Sequence, residues 1–270
     1  MPLRFPDRRV EDVTELLSRL KEDELRLSAQ PGVGKIVWYR GLSSATYKLV
    51  PTFHVQRRKV TDEIYMMNLF RQNAHEFLEG SLPSSEWEWM LLMRHHRLPS
   101  RLLDWSENPL VGLYFATEPG GNRDGALWCL LPARLNRWSL GWPDNNFALP
   151  MFTEQEAEFT LGENEGLLNY LPSRIRRPRS PAGPLLPAAG ISIRTSRRIQ
   201  AQLGVFTIHH ADRTPLEDAG DQSHVWRLTI PAGKKAAIQA QLSQIGITRL
   251  TLFPELDNVA KEAASAVGGA

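Results

Sequence analysis

Six short runs rich in apolar, β-branched and aromatic residues punctuate the chain, at 36–40 (IVWYR), 101–105 (RLLDW), 125–131 (GALWCLL), 204–209, 224–230 and 248–253. Each has the length of a buried strand rather than of a helix. Between them the apolar period lengthens to three and four residues. Residues 10–27 place Val10, Val13, Leu16, Leu17 and Leu20 on one stripe, and 60–78 repeat apolar side chains at 60, 64, 67, 70, 74 and 77. Ser84 and Ser85 precede a helical run that turns Trp87, Met90 and Leu91 inward and stops at Pro99. Asn108-Pro109 opens another, with Leu110, Leu113 and Tyr114 on one face, because proline is tolerated in a first turn. Residues 152–170 read as a helix or two, 234–244 as a helix, and the segment from Val259 as a helix fading into a disordered tail; 135–149 reads as a Trp-rich loop. Strands and helices mixed in this way predict one α+β domain.

Its expected parts are an N-terminal helix over 1–30, the main domain over 31–260 and a tail over 261–270. With 270 residues, 42% of them hydrophobic and 23% charged, the composition is that of an ordinary soluble domain with a sizeable core. No apolar stretch approaches the roughly 18 residues that cross a bilayer, and MPLRFPDRRVEDV lacks the apolar core of a signal peptide. The expectation is a cytoplasmic protein with no membrane partner. A single cysteine, Cys129 in ALWCLL, excludes an intrachain disulfide and a Cys-based zinc site, and reads as a buried strand residue.

Net charge is only +2, but it is unevenly spread. Residues 171–200 hold seven arginines and no acid, whereas 153–165 hold five glutamates and no base. Of the 32 basic residues 25 are Arg, which suits bidentate phosphate contacts and equally suits a genome biased toward Arg codons. Within 172–190 proline and glycine are too frequent for regular structure, so this segment reads as a flexible basic loop. It offers Arg174, Arg176, Arg177 and Arg179 to nucleic acid, or forms a solvated surface without a partner.

Motifs for NTP, dinucleotide or metalloprotease chemistry (GxxxxGK[ST], GxGxxG, HExxH, GxSxG) are absent. The adjacent His95 and His96 point apart on a helix or strand, so no metal site is expected. Four constellations remain. Trp38-Tyr39-Arg40-Gly41 ends a strand in an arginine that either seizes an anion or pairs with an acid such as Asp104. The segment from His95 to Ser106 concentrates titratable and hydroxyl groups around a helix-to-strand-to-helix passage, either as a site or as caps for the next helix. Gln202, before the strand at 204, presents an amide to a ligand or serves a turn. Phe253-Pro254-Glu255-Leu256-Asp257 reads as packing.

At these residues the chain resembles FRG-domain proteins, named for an aromatic-Arg-Gly signature, here Tyr39-Arg40-Gly41. The family's central signature, Gln-His-His-Gly-Leu-Pro-Thr-Arg-Leu-Leu-Asp-Trp-Thr, is similar to the run from Arg94 to Ser106, followed here by Asn108-Pro109 and Tyr114-Phe115-Ala116. Arg198, Gln202, Gly204, Phe206 and Phe253-Pro254-x-Leu256-Asp257 extend the match. Departures fall at Arg94, Arg97, Ser100 and Ser106; Arg97, in place of glycine, is the least conservative.

A weaker resemblance, to the arginine–serine–glutamate order of ADP-ribosyltransferases, implies a split, mostly antiparallel sheet with flanking helices. It also implies a cleft where 36–40, 101–105 and 204–209 meet. On that resemblance Arg40 holds a phosphate of NAD, Ser106 braces the site and Gln202 stands where a catalytic glutamate would. Asp104 is the first substitute carboxylate and His96 or His95 the next. Tyr39, Arg40, Gly41, His95, Arg101 and Trp105 would surround the nucleotide. The implied activity is NAD-dependent ADP-ribosylation of nucleic acid or protein by a toxin or anti-phage effector, with NAD as substrate and a neutralising antitoxin as partner. The alternative is a non-catalytic nucleotide- or nucleic-acid-binding module. A third reading is a nuclease using His95, His96 and Asp104.

Overall fold

A computed structural model of the protein describes residues 5–30, 34–78, 80, 82–143, 146–153, 165–175 and 185–267. In chain order, β1 (Arg8–Arg9) leads into α1 (Val13–Ser28), whose first turn is capped by the Asp12 carboxylate accepting from the Glu15 amide. Next come β2 (Trp38–Leu42), the single turn α2 (Thr52–Val55), α3 (Val60–Ala74) and α4 (Glu86–His95), the last capped by Ser85. β3 (Leu102–Ser106) passes directly into α5 (Pro109–Ala116), with Asn108 as cap and Pro109 in the first turn. β4 (Gly125–Leu130), α6 (Pro132–Leu140), α7 (Glu165–Leu168), α8 (Pro172–Ile175) and β5 (Ala188–Gly190) follow. The chain closes with α9 (Arg197–Ala201), β6 (Gly204–Ile208), β7 (Val225–Ile230), α10 (Lys235–Gln244), α11 (Arg249–Leu252) and α12 (Leu256–Val267).

The strands form one seven-stranded sheet in the order β1-β7-β4-β2-β3-β6-β5. β1, unforeseen because it is two residues long, runs parallel to β7, so the sheet is mixed, while the other five strand pairings are antiparallel. The sheet is also continuous, although β2 and β3 are joined through one pair alone, Tyr39 opposite Ser106. β2 lies along β4 over five pairs, and β3 along β6 over five. The two halves therefore meet at a seam, and that seam lies among the signature residues.

Side-chain alternation sorts the core. Tyr39, Leu127, Cys129, Trp226 and Leu228 face a cluster under α1, α5 and α10. Trp38, Leu103, Trp105, Leu130 and Val205 belong to a second cluster, while Leu102, Phe206 and Ile208 pack beneath α3 and α4. Cys129 is fully buried, and burial raises its thiol pKa well above the ordinary value. No described helix is long and apolar enough to cross a membrane.

Three local expectations change. Residues 248–253 form α11 instead of a strand, because Thr248 and Thr251 cap each other's backbone amides at its start. The first six residues of 135–149 are helical: Pro132 opens α6 and Gly141, at φ 68°, ends it in the left-handed region, after which the described residues to 149 are irregular. The expected loop at 172–190 begins with α8 and ends with the edge strand β5, whose amide at Ala189 donates to the buried Asn136 carbonyl oxygen at 2.7 Å.

Candidate functional site

Beyond the Tyr39–Ser106 pair the two strands part, and Arg40 occupies the opening. Its Nη1 donates to the main-chain carbonyl of Asp104 and lies 3.9 Å from Asp104 Oδ2. A strand left without a neighbour there exposes a carbonyl acceptor, and the guanidinium satisfies it. The Arg40 side chain is 19% exposed, and desolvation lowers its pKa to about 10, against the pull of Asp104 and with the push of Arg94. It is therefore charged at neutral pH.

Asp104 is the electrostatic centre. Arg94, in the last turn of α4, donates from Nε to both carboxylate oxygens at 3.1 Å and from Nη2 to Oδ2. Desolvation acts to raise the Asp104 pKa, but Arg94, Arg40 and Arg198 together outweigh it and hold the carboxyl below its ordinary value. Beside it opens a cavity of about 160 Å³. Arg94, His95, Arg97 and Arg198 bring positive or titratable groups to its wall, against the single carboxylate of Asp104; Leu91, Trp105, Ile199 and Phe206 supply the apolar part. Arg198 lies over the Phe253 ring at 4.7 Å, and burial lowers its pKa. Phe253 thus packs behind the cavity wall, but Glu255, Leu256 and Asp257 are exposed, so the packing reading of that stretch holds for its first residue and is corrected for the rest.

Arg94, Arg97 and Arg198 are the functional candidates that sequence reasoning did not select. Arg94 and Arg97 were visible as departures from the family signature, and Arg198 as part of it. Arg97 adopts φ 64°, the left-handed geometry that glycine takes without cost, which explains why an arginine there is unusual.

The other named residues divide. Ser106 Oγ donates to the Gln202 carbonyl at 2.6 Å and accepts from the Asn108 amide at 2.9 Å, so it ties β3 to the end of α9 and braces the turn into α5. Gln202 lines the cavity, with its amide nitrogen donating to Leu252 O at 3.0 Å. Trp105 is among the lining residues, and its indole N–H donates to Thr207 Oγ1 at 3.0 Å. His95 is also at the wall, its Nδ1 3.5 Å from Ser196 Oγ; desolvation, then His96 and Arg198, lower its pKa. His96 is exposed and rests on Phe70, ring centroids 5.9 Å apart.

Three residues are placed away from this cavity. Arg101 is fully buried and saturated: Nε donates to Glu63 Oε2 at 2.6 Å, Nη1 to His209 O at 2.8 Å and Nη2 to Tyr170 O at 2.6 Å. It belongs to the core. Tyr39, one residue before Arg40, faces the α1 side of the sheet. Gly41 is required by packing, since a Cβ there would sit 2.0 Å from the Gly112 carbonyl oxygen of α5; the close backbone approach is to that helix. Arg174 is exposed at the end of α8, while Arg176, Arg177 and Arg179 lie outside the described residues.

The sequence model of the FRG domain matches residues 35–124, so the chain carries an FRG domain over that span. It includes β2, α4, β3 and α5, hence Arg40, Arg94 and Asp104. No curated protein and no solved structure matches the chain.

Proposed function

We propose that the chain binds NAD or a related nucleotide in a layout similar to that of ADP-ribosyltransferases, with transfer of ADP-ribose as its activity. One observation carries this reading. Asp104 of β3 and Gln202, just before β6, line a cavity whose wall also holds Arg94, Arg97 and Arg198, while Arg40 of β2 and Ser106 stand behind that wall, donating to the main chain of Asp104 and Gln202 respectively. Guanidinium groups in excess over acids suit phosphate, which they grip as planar forks. At about 160 Å³ the cavity is smaller than the ~300–1,000 Å³ typical of whole-ligand sites, so it suits the phosphate and part of a sugar rather than an entire dinucleotide.

In the transfer, the ribose–nicotinamide C–N bond breaks and nicotinamide leaves with the bonding electrons. The ribose carbon gains positive charge, and the acceptor attacks it and gives up a proton. A carboxylate beside that carbon stabilises the charge. Gln202 is neutral and its amide already holds Leu252, which leaves Asp104 as the nearest carboxylate, largely neutralised by Arg94. Turnover is accordingly slow, by about 10²–10⁴-fold, the usual effect of losing a general base.

The same two commitments favour a second reading, binding without turnover. Calorimetry with NAD, together with a nicotinamide-release assay, separates them. Binding with release, both lost in Arg40→Ala and release alone reduced in Asp104→Asn, supports transfer. Binding without release supports the module. Absence of any NAD interaction overturns both, and RNA or DNA binding that weakens steeply with salt would then point to a nucleic-acid surface around Arg174 and Arg197.

A further inference from the structure

A second opening lies over β2, on the face that carries Tyr39. Lys35, Val37 and Tyr39 share one side of the extended chain, and α1 runs alongside with Leu17, Leu20 and Leu27 turned toward them. Pro109 and Trp226 complete the apolar lining. The groove holds about 550 Å³, within the range of ~300–1,000 Å³ usual for small-molecule sites.

Its polar groups fall into two sets. Asp23 is buried and spent, accepting from Arg8 on one oxygen and from the Trp226 indole N–H at 3.0 Å on the other. Glu107 is paired with Arg194. Lys21, Lys35 and the Tyr39 hydroxyl, by contrast, have no partner among the described residues, and Glu24 is the one unpaired acid. Burial, reinforced by Cys129, Asp23 and Glu24, raises the Tyr39 pKa and keeps the phenol a donor at neutral pH. Two solvent-exposed cations and a partly buried hydroxyl donor thus stand without a protein partner, among the described residues, around a mainly aliphatic wall.

We propose that this groove binds an amphipathic carboxylic acid, with its hydrocarbon against Leu17, Leu20, Leu27 and Val37 and its carboxylate meeting Tyr39, Lys21 and Lys35. An aliphatic body removes the exposed faces of Leu17 and Leu20 from water, and a single negative charge matches two lysines opposed by one glutamate. Ammonium groups are point charges that serve a carboxylate as well as a phosphate, whereas the arginine-lined cavity beyond the seam favours phosphate. The site is independent of the nucleotide reading.

The test is calorimetric titration with decanoate, decanol and decyltrimethylammonium, all below their micelle concentrations. Decanoate should bind at least about tenfold more tightly than decanol, the usual effect of a charge-assisted contact, and the ammonium should bind least. Lys21 and Lys35 are exposed, so the Lys21→Ala/Lys35→Ala variant keeps its fold; it should reduce decanoate to the affinity of decanol, and Tyr39→Phe should weaken decanoate severalfold. No heat with decanoate, equal affinity for the three probes, or unchanged decanoate binding in the lysine variant would each overturn the proposal.

Discussion

Two arginine–carboxylate pairs join a helix to the β3 strand region, and they differ in almost everything else. Arg101 and Glu63 are both 0% exposed, and every nitrogen of the Arg101 guanidinium group has an acceptor. Arg94 and Asp104 are 22% and 40% exposed, and around them stand further cations, with Arg198 held only over an aromatic ring and Arg97 at the rim. A buried pair with complete hydrogen bonding holds elements together and offers nothing to a ligand. A half-open pair with surplus positive charge beside a cavity is set up to receive an anion. Charge and spacing in the sequence do not separate them, since Arg101 and Asp104 are three residues apart.

The largest effect expected from this contrast is on folding. Arg101→Ala strands the Glu63 carboxylate in the core and should cost about 3–5 kcal/mol in urea denaturation, whereas Arg101→Met with Glu63→Leu should recover most of it. A loss below 1 kcal/mol in the single variant would contradict the structural role.

Acidification comes next. His54 and His224 have pKa values lowered to about 4, and His209 to about 3, in each case chiefly by desolvation. The unfolded chain, with histidines near 6.5, binds more protons at pH between those values, so this contribution is complete above pH 6.5 and is lost as pH falls toward 4. Denaturant titrations should show stability falling by a few kcal/mol over that window, and His209→Gln should flatten the slope.

Arg94→Ala should cost only about 1 kcal/mol, because its pair with Asp104 is partly screened by solvent. Its signature is elsewhere: the Asp104 pKa, followed by NMR, should rise, and the stability that Asp104 now confers above the ordinary carboxylate range and loses as pH falls through its lowered value should diminish. The smallest change is Arg97→Gly, which relieves the left-handed backbone at φ 64° and should stabilise the protein by about 0.5–1 kcal/mol while removing one cation from the cavity rim.

Much of the fold was legible because apolar period and capping agree. β2, β3, β4, β6 and β7, together with α1, α3, α4, α5 and α10, fall where runs such as IVWYR and the stripe through Leu16 and Leu20 place them. What escaped were elements decided by single caps or tertiary edges. The reciprocal Thr248–Thr251 caps turned a strand-like sequence into α11, and Arg8–Arg9 became a strand only because β7 offered an open edge. In the candidate site, Arg40, Asp104, Ser106 and Gln202 were brought together, since motif order follows strand order. Tyr39 was separated from Arg40 by the alternation of β2, and Arg101 was taken into the core by Glu63, a partner 38 residues away that no local pattern announces.

The most direct test of the contrast is calorimetric titration of ADP-ribose into the wild-type protein, the Arg94→Ala/Arg198→Ala variant and the Arg101→Met/Glu63→Leu variant. Binding that falls at least about tenfold in the first variant and persists in the second would place the anion at the half-open pair and leave the buried pair to structure. Equal affinity in all three, or no binding by the wild type, would contradict it.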